Sequence, residues 1–138
     1  MLTEPVVFEA IHGTISVARP HARAVLVTIT GRDVGELGDA PLRELARHLT
    51  AASELEIFVD ARAASGPSVD VSGAWASFLR EHQARFDRLH MLTGSRFVEL
   101  TASFVREVTG LGERMRLYKD ADAFEAALRE TSVGTLQP

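Results

Sequence analysis

The feature that most constrains this chain is a change in the spacing of its apolar residues near Gly31. Before it, the pattern alternates. Val6 to Ala10 is apolar and partly β-branched, His12-Gly13 suits a turn, and Ile15 and Val17 point to one face of the segment Thr14 to Ala18. In Ala24 to Thr30, Val25, Val27 and Ile29 alternate against Leu26 and Thr28, the two-residue period of a strand. After Gly31 the period becomes helical. Asp39 suits a helix cap, Pro41 the first turn, and Leu42, Leu45, Ala46 and Leu49 share one stripe. Leu55 to Asp60 is short and almost continuously apolar, as a strand covered on both faces should be. Ala61 to Val69 reads as a loop. Trp75, Phe78, Leu79, His82 and Phe86 form a second helical stripe, and Leu89 to Leu92 another short strand. Phe97, Leu100, Phe104, Val108 and Leu111 read as the core stripe of a third helix that Gly110 or Gly112 closes. Arg114 to Tyr118 is a last strand. Asp120 or Asp122 caps a final helix carrying Phe124, Ala127 and Leu128, and Ser132 to Pro138 reads as a frayed tail.

Strands followed by repeated helix–strand units predict an α/β protein with right-handed crossovers. The expected sheet is mixed but largely parallel, of about five strands, with about four helices. The 138 residues suit one domain: N-terminal strands over 1–23, a core over 24–130 and a flexible tail over 131–138. The chain has no Cys, so disulfides and thiolate metal sites are impossible and a reducing, cytoplasmic setting is expected. Its start has neither the basic region nor the apolar run of a signal peptide, and no stretch reaches the roughly 20 apolar residues of a membrane span. A net charge of −4 argues against broad attraction to nucleic acid or anionic lipid. Lys119 is the only Lys beside many Arg, which reads as the base composition of a GC-rich bacterial genome.

The informative segment is Val69 to His82, VDVSGAWASFLREH. Asp70, Ser72 and Gly73 stand at the entry to an amphipathic helix, just after a buried strand ending in Asp60 and a loop. The run IFVDARAASGPSVDVSG resembles the signature of the STAS family, typified by bacterial anti-sigma-factor antagonists. The closing region, with Thr109-Gly110-Leu111 and an Asp120-capped helix containing Ala123, resembles the family's last strand–helix–strand–helix. The resemblance covers about Ala24 to Leu128. It implies a STAS-like fold and a regulatory role in protein–protein interaction, with Asp60 the strand-end Asp, Asp70 the motif Asp and Ser72 the phosphoacceptor. Asp60, Asp70, Ser72, Gly73 and Trp75 are then the candidate partner-binding residues. The expected partner is an anti-sigma factor or another serine-kinase-type signalling protein, with a homodimer also possible. Val71 departs from the family pattern by replacing the first of two hydroxyl residues. A STAS-like group allied to lipid-binding proteins of the SEC14 type shares the architecture and often lacks the phosphoacceptor, which makes small-ligand or lipid binding the alternative.

A helix N-terminus has free N–H groups and partial positive charge. Asp70 can cap this one, and Ser72 is expected exposed in its first turn, where phosphate is tolerated. Phosphate there adds nearly two negative charges to a contact surface. Capping alone also explains Asp-x-Ser-Gly at a helix start, and Ser65 and Ser68 read as turn residues. The histidines at 12, 21, 48, 82 and 90 lack zinc spacing, and no cofactor or metal is expected. A triad of Ser72, a His and Asp60 lacks the Gly-x-Ser-x-Gly elbow, so no enzyme is expected. Gly31, Gly35 and Gly38 match no phosphate loop, although Val34 to Asp39 could border a pocket at the carboxyl ends of parallel strands. Arg80, Arg85 and Arg88 read as solvated surface.

Overall fold

Gly31 sits at a point where only glycine fits. Its φ is +71° and an added Cβ would meet the His12 carbonyl across the strand pair. Around it, three antiparallel strands open the chain: β1 (Val6–Glu9), β2 (Gly13–His21) and β3 (Ala24–Gly31). The computed structural model describes residues 4–52 and 54–136, with side chains through Thr131. Four more elements alternate after β3: α1 (Ala40–Ala51), β4 (Leu55–Ala64), α2 (Val69–Glu81) and β5 (Phe86–Thr93). They are followed by α3 (Arg96–Thr109), a single 3₁₀ turn, β6 (Met115–Tyr118) and α4 (Ala121–Leu136).

The sheet runs β1-β2-β3-β4-β5-β6, and β3 through β6 are parallel. Strictly sequential order with crossovers of one hand puts the connecting helices on one face. There α1, α2 and α3 bury Leu45, Leu49, Ala76, Leu79, Val98 and Val105 against Ile15, Val27, Ile57, Val59 and Leu89. Only α4 remains for the other face, and it packs Phe124 on Ala24, Phe58 and Leu92. The part of that face over β2 and β3 is polar, with Thr14 and Thr30 bonded across the strands at 2.6 Å. The mixed, mainly parallel α/β sheet and its four helices agree with the sequence reading, with six strands in place of about five.

Several boundaries differ. β4 continues to Ala64, so the first part of the expected loop is strand and Asp60 is not its end. Phe86 opens β5 and is not the end of the α2 stripe; α2 stops at Glu81, with His82 as its C-cap. The helix α4 runs to Leu136, well into the expected tail, and Gln137 and Pro138 lie outside the described residues. At α1, Asp39 is at the cap position but caps nothing with its side chain, which pairs with Arg43 at 3.4 Å.

Candidate functional site

The hydroxyl that starts α2 belongs to Ser68. Its Oγ accepts from the Val71 N–H at 3.2 Å, so Ser68 does the capping expected of Asp70. Asp70 is exposed one residue inside the helix, where its charge suits the helix dipole. Ser72 is the fourth helical residue and is half-buried, where full exposure in the first turn was expected. Its own N–H is already used, donating to the Ser68 carbonyl at 3.0 Å. Of the first-turn N–H groups of α2, those of Val71 and Ser72 are thus already taken, both by Ser68. Gly73 is exposed beside it, and Trp75 is half-buried against the core.

Asp60 does not join this group. Val59 and Ala61 face α2 and α3, so by strand alternation Asp60 faces α4 with Phe58. There Arg62 donates to both of its carboxylate oxygens, at 3.1 and 2.9 Å, and reaches Glu125 of α4 at 3.1 Å. Asp60 and Glu125 hold the Arg62 guanidinium even further into its charged form than usual. This network ties α4 to the sheet. A second polar cluster lies on the same face. His90 bonds Glu56 at 2.6 Å and the Tyr118 hydroxyl at 2.8 Å, and stacks on Phe58 with ring centroids 4.2 Å apart.

The residues that sequence reasoning misplaced are on α3. Phe97, Leu100 and Phe104 lie on the apolar stripe expected to pack inward, but they are 58%, 54% and 58% exposed. The buried stripe is Val98, Ala102, Val105 and Thr109. At about 100° per residue, α3 thus carries two apolar stripes side by side, one in the core and one in solvent. The same geometry puts Ser72 and Ala76 on the flank of α2 toward α3. Arg80 confirms that direction by donating to the Val108 carbonyl at 2.6 Å, so it bridges the two helices and is not simply solvated. Phe97 lies over the loop before α2, where a side chain at Gly66 (φ +117°) would run into its ring. Val69, at the helix start, is 88% exposed. The signal in the sequence was an apolar stripe too wide for one buried face, since Phe97, Val98, Leu100, Phe104 and Val105 cannot all point inward.

Between α2, α3 and the sheet is a cavity of about 80 Å³. Its floor includes Val59, Ala61 and Met91, its walls Ser72, Trp75 and Ala102, and its rim Gly31 and Asp33. The rim thus lies just before the segment Val34 to Asp39 that was expected to border a pocket. Among the described residues, no group of three or more His, Asp or Glu could hold a metal ion, and no helix is long and apolar enough to cross a membrane.

No family model matches the chain, and no curated protein matches its sequence. Solved structures do match its shape. A protein of the DUF3478 family with a SpoIIAA-like fold, from Shewanella loihica PV-4, superposes with a TM-score of 0.61 at 17% identity, covering 88% of this chain and 98% of that one. The anti-sigma factor antagonist SpoIIAA in its unphosphorylated form superposes at 0.61 with 16% identity, covering 83% and 96%. An anti-sigma factor antagonist from Mycobacterium paratuberculosis gives 0.51 at 17% identity, covering 94% and 95%.

Proposed function

The chain has the STAS-like, SpoIIAA-like fold, and we propose that it is a regulatory docking module whose contact surface is the paired face of α2 and α3. The observation that carries this reading is the solvent-facing stripe Phe97, Leu100 and Phe104, which adjoins the Ser72 flank of α2. Exposed aromatics grouped on one helix mark a contact surface. The partner we assign is an anti-sigma factor or another signalling protein of the serine-kinase type, in keeping with the neighbours that are anti-sigma factor antagonists.

Ser72 is the proposed switch. Its hydroxyl makes no hydrogen bond among the described residues and borders the groove between the helices. Phosphate there would add negative charge beside the groove, at a position whose own N–H already donates to the Ser68 carbonyl. It would repel a partner while leaving the fold intact. Asp70, Gly73 and Trp75 belong to the same helix and stay in the proposed surface. Asp60, on the opposite face, does not. A lipid carrier must enclose a long acyl chain, and a cavity about half the size of an engineered one that takes benzene, roughly 150 Å³, is too small for that.

The test is calorimetric titration of the purified chain with the kinase-type anti-sigma factors of its own organism. Wild type and Ser72→Ala are expected to bind one of them, and Ser72→Asp to lose at least tenfold in affinity with its circular dichroism unchanged. If Ser72→Asp binds as wild type does, Ser72 is not the switch. If the α3 face is instead covered by a second copy, light scattering will give a dimer that Phe104→Ser converts to a monomer.

A further inference from the structure

We infer that Gly66 is a positioning residue for the docking surface: its bare Cα is the seat that holds the ring of Phe97 as a fixed anchor for the partner. This rests on the docking reading and adds the loop before α2 to the surface. The loop is pinned on both sides of Gly66. The Ser65 N–H donates to the Gly31 carbonyl at 2.8 Å, and the Ser68 N–H donates to the Asp33 carbonyl at 3.0 Å, so the loop is bound to the end of β3 and the residues just after it. Gly66 itself has φ +117° and stands before Pro67, where a residue with a side chain is driven to extended backbone instead. A Cβ added at Gly66 would overlap the Phe97 ring at Cε2 and Cδ2. The ring edge therefore occupies space that any other residue type would fill.

Phe97 nevertheless stays more than half exposed. The helix that carries it is fixed at both ends: the Ser95 hydroxyl accepts from the Val98 N–H at its start, and Arg80 of α2 donates to the Val108 carbonyl near its finish. A mobile side chain on a helix surface loses rotamer freedom when a partner grips it, which lowers affinity by a factor of about two to ten. A ring already seated has lost that freedom on folding, so the partner meets it in place. An aromatic ring that is exposed and yet held is the kind of residue on which binding energy concentrates.

The test is a double-mutant cycle over Gly66→Ala and Phe97→Ala in the full chain, read by calorimetric titration with the anti-sigma factor that wild type binds. Gly66→Ala is expected to lower affinity about tenfold with Phe97 present, and by less than about twofold in the Phe97→Ala background. Equal losses in both backgrounds overturn the inference, since the loop would then act without the ring. Gly38, at φ +60° with open space around it, is the control for backbone strain. Gly38→Ala is expected to leave affinity unchanged, and a tenfold loss there would assign the effect to strain and overturn the seat. A second measurement needs neither variant nor partner. NMR of wild type is expected to show nuclear Overhauser contacts between the Gly66 α-protons and the Phe97 ring, with χ1 couplings of a single rotamer. Averaged χ1 couplings at Phe97 overturn the seat, even should Gly66→Ala fail to fold. If wild type binds no anti-sigma factor, the docking reading falls and this inference falls with it. If wild type binds and the losses add, only the role of Gly66 is lost.

Discussion

At the scale of single residues, the polar groups buried under α4 are held in pairs. Burial by itself pushes the Glu56 carboxyl up, but the hydrogen bond and charge of His90, with Arg88 and Arg23, outweigh it and leave Glu56 below its ordinary value. Burial is also the main cause that raises the Tyr118 hydroxyl. A polar pair this buried is weak evidence for stability, because desolvation opposes the attraction, yet removing one partner is costly. His90→Leu strands the Glu56 carboxylate in the interior, and urea denaturation is expected to show a loss of about 3 kcal/mol or more. A loss below 1 kcal/mol would mean that water reaches Glu56. His90 stood in the sequence as one of five histidines in no motif, since its partners lie 34 and 28 residues away.

At the scale of elements, α2 and α3 share one local design. Each is opened by a serine whose hydroxyl accepts from the N–H three residues on, Ser68 to Val71 and Ser95 to Val98, both at 3.2 Å. Ser68→Ala should cost about 1 kcal/mol in thermal or urea unfolding, and Asp70→Ala distinctly less, since Asp70 caps nothing. The reverse ranking would restore Asp70 as the cap. On α3 the two stripes must separate by function. Phe104→Ser should change stability by no more than about 0.5 kcal/mol and still lower partner affinity by about 2 kcal/mol, the scale of an interface hot spot. Val105→Ala should do the opposite, destabilising the fold with little direct effect on binding. If Phe104→Ser unfolds the chain, the outer stripe is structural after all.

At the scale of the whole molecule, pH is the lever that separates the two faces. On the side of α1, burial lowers His48 below its ordinary value of 6.5, helped by the Arg47 charge and opposed by Glu44. The unfolded chain then takes up the His48 proton before the folded one does. Stability from this source is present above about pH 6.5 and is lost as pH falls below it. Glu56 is likewise lowered from its ordinary 4.5, so its contribution is present above that value and is lost as pH falls through its folded value. The thermal midpoint should therefore fall in two stages on acidification. His48→Gln should flatten the upper stage and spare the lower. An unchanged profile between pH 7 and 5 in that variant would remove His48 from the account.

The fold was legible in the sequence because it is written in local periods. Alternation in Ala24–Gly31, the continuous apolar run of β4 and the spaced stripes of the helices each depend on residues close together in the chain. Sequential strand order then leaves little freedom of topology. The site was only half legible. Composition and spacing located the start of α2 and singled out Ser72. They did not show that Ser68 holds the cap, that Asp60 points to the other side of the sheet, or that Phe97, Leu100 and Phe104 face solvent. Those outcomes depend on where β4 ends, and on which of two adjacent stripes the sheet has room to cover. Both were decided by packing between segments far apart in the chain, where an apolar residue carries no mark of whether a neighbour will reach it.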